Sequence, residues 1–373
     1  MLKLLHISDI HLEAKFGFLG DKASQARGAI VKAFERSIDE AISNNVHFLI
    51  ISGDLFDTPY PSQTAIDIVK KGIKKLEEKG IYTVIIPGNH DYLAAGSVYL
   101  SPEFSEGLNK LILFNNPKEI RRDIVDLNLS LYAKPNDTSK SLKSPIVSND
   151  EVEQSKNEFD AQYKICIAHG SYEMGNGEMN YPIKKEDIAN SKFDYIALGD
   201  WHGTKDVSHQ DHKAFYPGSL EPLAIDQKSS GKALLVTVEK TTTVEEIQIG
   251  KINCEKLEID ITQAENIISI IEKNLDNLID HNKNYMIQVD LIGDRDLQTR
   301  FEFEKIIEYF EEKYFFIKFN DKTKLKLTDL DLANYPDYTI IGKFIQNLRK
   351  RDDVDSGLID QAIHKGVNLL DRE

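Results

Sequence analysis

Residues 2–11 read LKLLHISDIH, residues 48–57 read FLIISGDLFD and residues 83–91 read TVIIPGNHD. Each is an apolar run of strand length that stops abruptly at polar residues. The stops share a composition: Asp9 and His11, then Asp54 and Asp57, then Asn89, His90 and Asp91. Between the runs, Gly28 to Ser43 carries Ile30, Ala33, Phe34, Ile38 and Ala41 on one helical stripe, and Ser62 to Lys79 repeats it with Ile66, Val69, Ile73 and Leu76. Such alternation implies a largely parallel sheet covered by helices, with ligands gathered at the carboxyl ends of its strands.

Apolar runs at Leu129 to Ala133, Tyr163 to Ala168 and Phe193 to Leu198 read as further strands. The last two lead into Ala168-His169-Gly170 and Gly199-Asp200-Trp201-His202-Gly203, so oxygen and nitrogen ligands recur at one strand end after another. Asp9 and His11 are two apart, which sends both side chains to the same side of an extended strand. Imidazole and carboxylate together suit manganese, iron or zinc, and the flanking glycines let the backbone turn sharply. Two metals roughly 3.5 to 4 Å apart can activate a water and neutralise a phosphate's developing charge, and a carboxylate such as Asp54 can bridge them.

The set D-x-H, G-D-x-x-D, G-N-H-D, a strand-end His-Gly and a later G-x-x-H resembles the signatures of calcineurin-like metallophosphoesterases, over roughly residues 1 to 220. Tyr216-Pro217-Gly218-Ser219-Leu220-Glu221-Pro222 resembles, within that superfamily, the segment closing the nuclease domain of SbcD-type DNA repair exonucleases. The resemblance implies a metallophosphoesterase β-sandwich flanked by helices, with a small α/β cap domain and a helical C-terminal tail. It implies two divalent ions, manganese foremost, with Asp9, His11, Asp54 and His202 on one and Asp54, Asn89 and His169 on the other. His90 would protonate the leaving oxygen, and Asp91 would orient it or its loop. One position departs from the family: its motif reads Gly-His-x-His, and here Asp200 replaces the first histidine, a ligand of the second metal. Asp9, Asp54 and Asp200 would then set three carboxylates against two divalent ions, a harder site more favourable to manganese or magnesium.

The chain has 373 residues, 41% hydrophobic and 29% charged, a balance expected of a globular protein of more than one domain. No apolar run approaches the roughly 18 to 20 residues of a membrane span, and the amino terminus reads as a first strand rather than a signal peptide. Two cysteines without CxxC spacing indicate neither a disulfide framework nor a zinc ribbon and fit a reducing cytoplasm. The formal charge of −15 argues against a generally basic nucleic-acid binder, though local patches and bound cations decide such contacts.

Three domains are expected: residues 1–250, the two-metal phosphoesterase; 251–335, a small α/β domain that would position DNA; and 336–373, a helical partner-binding tail. Lys232 to Val238 and Val244 to Ile249 read as a hairpin across Lys240 to Thr242. Asn136 to Asp160 reads as a surface loop or short exposed helix. The second domain alternates a strand near Cys254 to Ile259, a helix near Thr262 to Leu275, a strand at Tyr285 to Leu291, a helix at Gln298 to Glu312 and a strand at Phe315 to Phe319. Two amphipathic helices follow, separated by the charged turn Arg349 to Asp355, and their apolar faces need a partner.

The bland readings stand beside these. His6 alternates into a strand interior and reads as a satisfied core residue, and Asp57 reads as an orienting or loop-capping carboxylate. His47, His281 and His364 have no partner motif, and His209 and His212 read as a solvated loop. Trp201, between two candidate ligands, walls the site or simply packs. Lys70, Lys71, Lys74 and Lys75 read as a solvated helix face, and Ser171 to Pro182 as a substrate-recognition loop or an ordinary one. The leading function is an SbcD-type DNA exo/endonuclease, cytoplasmic, whose tail docks an SbcC-like coiled-coil ATPase, since this chain has no phosphate-binding ATPase loop of its own; a homodimer is open. The alternatives are a phosphoesterase for small nucleotides or phosphoproteins, and a DNA-end-binding scaffold whose centre has decayed at Asp200.

Overall fold

The computed structural model describes residues 1–173, 179–262, 266–277, 284–295, 303–325 and 335–370. Residues 174–178 of the expected recognition loop, His281, and residues 298–302 at the head of the expected second-domain helix lie outside them. The described chain forms two compact units, Met1–Cys254 and Glu255–Glu373. Among the described residues no helix is long and apolar enough to cross a membrane.

The first unit runs β1 (Leu2–Ile7), α1 (Ala23–Ser43), β2 (Phe48–Ser52), α2 (Gln63–Glu77), β3 (Tyr82–Ile86), α3 (Pro102–Ser105), β4 (Leu111–Leu113), β5 (Arg121–Ile124) and β6 (Leu129–Ala133). It continues with α4 (Asn149–Gln154), β7 (Tyr163–His169), α5 (Lys185–Ala189), β8 (Tyr195–Gly199), β9 (Lys205–Asp206), β10 (Ala214–Tyr216), β11 (Lys232–Val238) and β12 (Thr243–Gln248). One six-stranded sheet has the order β12-β11-β1-β2-β3-β4 and the other β5-β6-β7-β8-β10-β9. Both are mixed. β1 to β4 run parallel with β11 antiparallel to β1, and β6, β7, β8 and β10 run parallel with antiparallel strands at both edges.

The sheets face one another across one hydrophobic core. Leu4, Phe48, Ile50 and Val84 of the first sheet meet Leu131, Ile165, Ile167 and Ala197 of the second, all fully buried. Each of these side chains larger than alanine contributes about 1.5–3 kcal/mol by leaving water. Buried on both faces, these strands carry continuous apolar runs rather than alternation. α1 and α2 cover the outer face of the first sheet through Ile30, Phe34, Val69 and Ile73, all buried. α1 begins at Ala23, ahead of the expected start at Gly28, because Ala26 extends the buried stripe by one turn. α2 starts where expected: Ser62 is its N-cap and accepts a hydrogen bond from Ala65 N.

Asn136 to Asp160 is more than surface. α4 carries a Ser148/Glu151 capping box, and Ile146, Val147 and Val152 join Cys166, Ile188 and Ile196 in a core on the outer face of the second sheet. β4, only Leu111–Leu113, is too short and β5, Arg121–Ile124, too polar to show a strand pattern in the sequence.

β13 (Ile252–Asp260) begins in the last residues of the first unit and continues into the second, which also holds α6 (Ile267–Asp276), β14 (Asn284–Ile292), β15 (Asp294–Arg295), α7 (Phe303–Glu311), β16 (Phe316–Asp321) and β17 (Lys324–Leu325) and a core that includes Ile271, Leu275, Ile287, Val289, Leu291 and Phe310. Among the described residues the main sheet has the order β13-β14-β16. α8 (Ile340–Arg349) and α9 (Ser356–Leu370) pack on each other through Ile345, Ile363 and Val367. Leu358, Leu369 and Ile340 remain exposed.

Candidate metal centre

Strand register brings the polar strand ends to one edge of the sandwich. Ile7 pairs with Ile51 and Ser52 with Ile86, so the segments after β1, β2 and β3 emerge together. His169 pairs with Gly199, so β7 and β8 end level in the facing sheet. Hydrogen bonds tie the sheets at this edge, among them Ser52 Oγ to Leu198 O at 3.0 Å, His169 Nδ1 to Ser52 O at 2.9 Å and Asp200 N to Asp9 Oδ1 at 3.1 Å.

The turns out of the strands are strained where the donors sit. Asp9 (φ 51°), His11 (φ 48°), Asp54 (φ 51°) and Asp200 (φ 106°) all occupy the left-handed region, which costs of order 1–3 kcal/mol each and persists where the surroundings over-determine it. Asp9 N bonds Gly53 O at 3.2 Å and His11 N bonds Asp54 O at 3.0 Å, which holds these bends. Two glycines make room. A Cβ at Gly53, itself at φ 95°, would lie 2.1 Å from His169 Nδ1, and one at Gly88 would lie 2.2 Å from Asp54 Oδ1.

Asp54 lies between two groups of donors. Its Oδ1 accepts from His90 N at 2.9 Å, while Oδ2 faces His11 Nε2 at 3.5 Å and His169 Nε2 at 3.3 Å. On one side Asp9, His11 and His202 present donor atoms within 4.8 Å of one another, and on the other Asp9, Asp54 and His169 do. Asn89 Oδ1 is 2.8 Å from His169 Nε2, and Asp200 Oδ1 is 3.9 Å from that nitrogen. Asp200 Oδ2 accepts from Ser171 Oγ at 2.7 Å.

The outer nitrogens of the imidazoles are engaged. His169 Nδ1 donates to Ser52 O, His11 Nδ1 contacts Asp57 Oδ1 at 3.0 Å, and His202 Nδ1 contacts the Gln227 amide at 2.7 Å. Holding Nδ1 of His11 and His169 in this way turns each Nε2 lone pair inward, the arrangement of metal-binding histidines. His11 Nε2 is buried and has no hydrogen-bond partner. A buried lone pair of this kind costs free energy unless a cation or donor meets it.

The charges point the same way. Burial raises the Asp9 carboxyl, with His169 pulling against it and Asp54 adding to it. Burial likewise raises Asp200, against His169 and Ser171. It pushes Asp54 upward as well, but the attraction and hydrogen bond of His169, with His11 and His90, hold that carboxyl below its usual range. Burial lowers His202 to about 4, helped by repulsion from His11. Buried carboxylates crowd here, burial opposes a charge on His202, and against its own burial His169 is drawn upward by Asp54, Asp9 and Asp200, so the site is short of positive charge. The orphaned nitrogen and the mixed nitrogen and oxygen donors fit divalent cations on both sides of Asp54.

His90 stands apart, its side chain 46% exposed, with Nδ1 3.5 Å from Asp57 Oδ1. The hydrogen bond to Asp57, against some burial and with Asp54 adding, raises His90 to about 9. Asp91 does not face His90. It is buried and grips the loops, accepting from Gly88 N at 2.7 Å, Phe56 N at 3.1 Å and Tyr99 OH at 2.6 Å. Of the two tasks expected of Asp91, the structure brings it to the loop, and Asp57 takes the position beside the imidazole. Gln227 and Tyr99 carry no site signal in the sequence, whereas Ser52, next to Gly53, and Ser171, which follows His169-Gly170 at the head of the expected recognition loop, each adjoin a motif.

A family model for calcineurin-like phosphoesterases matches residues 2–204. The chain belongs to that family. As a calcineurin-like phosphoesterase it is a metal-dependent hydrolase of phosphoesters, and the matched span contains every donor named above. It is 25% identical over 285 residues to the uncharacterized metallophosphoesterase YhaO of Bacillus subtilis, which covers 73% of this chain and 66% of that protein. It is also 25% identical over 315 residues to the DNA double-strand break repair protein Mre11 of Methanococcus maripaludis, 78% of each chain. The crystal structure of TT1561 of Thermus thermophilus is similar at TM-score 0.44 and 12% identity, over 66% of this chain and 99% of that one.

Proposed function

We propose that this phosphoesterase is an SbcD-type, manganese-dependent DNA exo/endonuclease acting in DNA end processing. The observation that carries the reading is the sharing of Asp54 Oδ2 between His11 and His169, with His90 and Asp57 beside it. Similarity to an Mre11 over 78% of both chains supports DNA as the substrate.

Asp9, His11, Asp54 and His202 would hold one cation, and Asp54, Asn89, His169 and Asp200 the other. Divalent ions bound at such a pair of sites supply Lewis acidity and a nucleophile at neutral pH. The chain's own residues do the rest. Asn89, with the backbone of the Gly88 loop, is held by Asp91 so that its amide stays beside His169. Asp57 anchors His90 at Nδ1 and favours its protonated form, which leaves Nε2 to hand a proton to the departing alcohol as the P–O bond breaks and the water oxygen bonds phosphorus. The strained turns after β1, β2 and β8 keep the donors in place before substrate arrives.

In this reading residues 251–335 help position DNA, and the exposed Leu358, Leu369 and Ile340 of the tail offer an SbcC-like coiled-coil ATPase, or a second copy of the chain, an apolar surface. The protein would work in the cytoplasm.

The test is incubation with manganese and linear DNA labelled at both ends, beside a small chromogenic phosphodiester and the His90→Ala variant. Manganese-dependent DNA cleavage that His90→Ala loses supports the nuclease. Cleavage of the small ester alone, also after addition of a partner ATPase, would replace it with a small-substrate hydrolase. DNA binding without turnover of either would point to a scaffold.

A further inference from the structure

The chain has one tryptophan, and it is neither packed in a core nor remote from the chemistry. Trp201 lies between Asp200 and His202, and 47% of its surface is exposed. Trp201 thus keeps about half of a wide aromatic surface in water on a ligand-bearing turn, where a flat π partner could cover it. The ring is nevertheless held. It packs along the backbone of Gly203, where an added Cβ would lie 3.3 Å from its Nε1 and 3.4 Å from the Ser229 Cβ. Lys205 Nζ sits over the ring, 5.1 Å from its centroid. The indole is thus fixed on the turn that carries two candidate metal ligands, with a cation attached.

We infer that Trp201 is a stacking platform for a nucleobase of the polynucleotide next to the scissile phosphate, with Lys205 drawing in the neighbouring phosphate. The inference rests on the nuclease reading and deepens it, naming a base contact that a site built only for phosphate would not need. Stacking on an indole tolerates any base, because every base has a π-face, and the lysine contact is likewise indifferent to sequence. The platform therefore favours unpaired bases, such as those at a frayed or single-stranded end, over a continuous duplex.

The single tryptophan is also the probe. The full chain carrying His90→Ala, in magnesium, is titrated with a thymidine decamer, with an abasic decamer bearing the same phosphates, and with thymidine monophosphate, while its intrinsic fluorescence is followed. The thymidine decamer should change the emission saturably and bind more tightly than the abasic one. Adding Trp201→Ala, with affinity then followed by anisotropy of a labelled decamer, should weaken thymidine-decamer binding by about 5- to 150-fold, towards the abasic value, and Trp201→Phe should restore part of it. Equal binding of the two decamers, or no effect of Trp201→Ala while circular dichroism shows a folded chain, would overturn the platform. Thymidine monophosphate binding as tightly as the decamer would overturn the polynucleotide and leave a small nucleotide on the same ring. The two readings fail separately. DNA cut without any emission change leaves the nuclease and removes the platform, whereas an emission change without DNA cleavage by the unsubstituted chain leaves the platform and removes the nuclease.

Discussion

His90 Nδ1 lies 3.5 Å from Asp57 Oδ1, and the same carboxylate oxygen is 3.0 Å from His11 Nδ1. One side chain therefore serves both the candidate acid and a candidate metal ligand. Asp57→Asn should lower kcat on a chromogenic phosphodiester by about 10²- to 10⁴-fold at saturating manganese, with a smaller change in KM. Raising manganese further should not restore the rate, because the His90 anchor is lost as well as the support of His11. Full recovery in excess metal would mean that Asp57 serves His11 alone.

Gln227 holds the outer nitrogen of His202 while its own carbonyl accepts Leu223 N at 2.8 Å. Gln227→Ala frees the imidazole to rotate, and removal of such an outer support typically costs 10- to 100-fold in metal affinity. Calorimetric titration with manganese should show that loss at one of two sites. An unchanged isotherm would assign the amide to loop packing.

Asp200 puts a carboxylate where the SbcD-type motif that the sequence resembles has its first histidine, and Ser171 restrains it at 2.7 Å. Asp200→His should shift the preference of the second site from manganese and magnesium towards zinc, read by competition titration. Asp200→Ala should weaken that site without emptying the first. A single bound ion in the unsubstituted chain would make Asp200 a lost ligand instead.

His6 is fully buried, with Nδ1 2.9 Å from Tyr195 OH and Nε2 2.8 Å from Ser52 Oγ. Burial, only partly opposed by a backbone bond at Leu198, lowers it from 6.5 to about 3. The unfolded chain takes up this proton near pH 6.5 and the folded one does not until about pH 3, so stability is lost as pH falls through that window. The loss from this residue is about 1.4 kcal/mol per pH unit. Thermal melts of metal-free protein should therefore fall less steeply below pH 6.5 in His6→Gln than in the unsubstituted chain, and parallel slopes would remove His6 as the cause.

Glu221, in the Tyr216 to Pro222 segment, is buried and accepts from Arg36 Nη2 at 2.9 Å, Lys251 N at 2.9 Å and Ile252 N at 3.0 Å. It ties α1 to the end of the first unit. Glu221→Ala leaves two backbone donors and a guanidinium without their acceptor and should cost about 3–5 kcal/mol in urea unfolding. Glu221→Gln should cost less, and a loss under about 1 kcal/mol for Glu221→Ala would show that water replaces the carboxylate.

What the chain determined by sequence alone was its class of chemistry and its frame. Strand-length apolar runs ending in D-x-H, G-D-x-x-D and G-N-H-D already dictated parallel strands with donors at one edge, because a run must be buried and its polar terminus must emerge. Helix stripes on Ile30, Phe34, Val69 and Ile73 were legible for the same reason. Pairing across the sandwich was not legible. Nothing in the order of residues says that Ser52 meets Leu198, that Asp57 rather than Asp91 stands beside His90, or that Gln227 reaches His202, since these contacts join segments separated by up to 146 residues and depend on strand register and loop path. Local pattern records what each segment must bury. Only the packing of two sheets decided which side chains would share a proton, a lone pair or an open face, and it left Trp201 exposed.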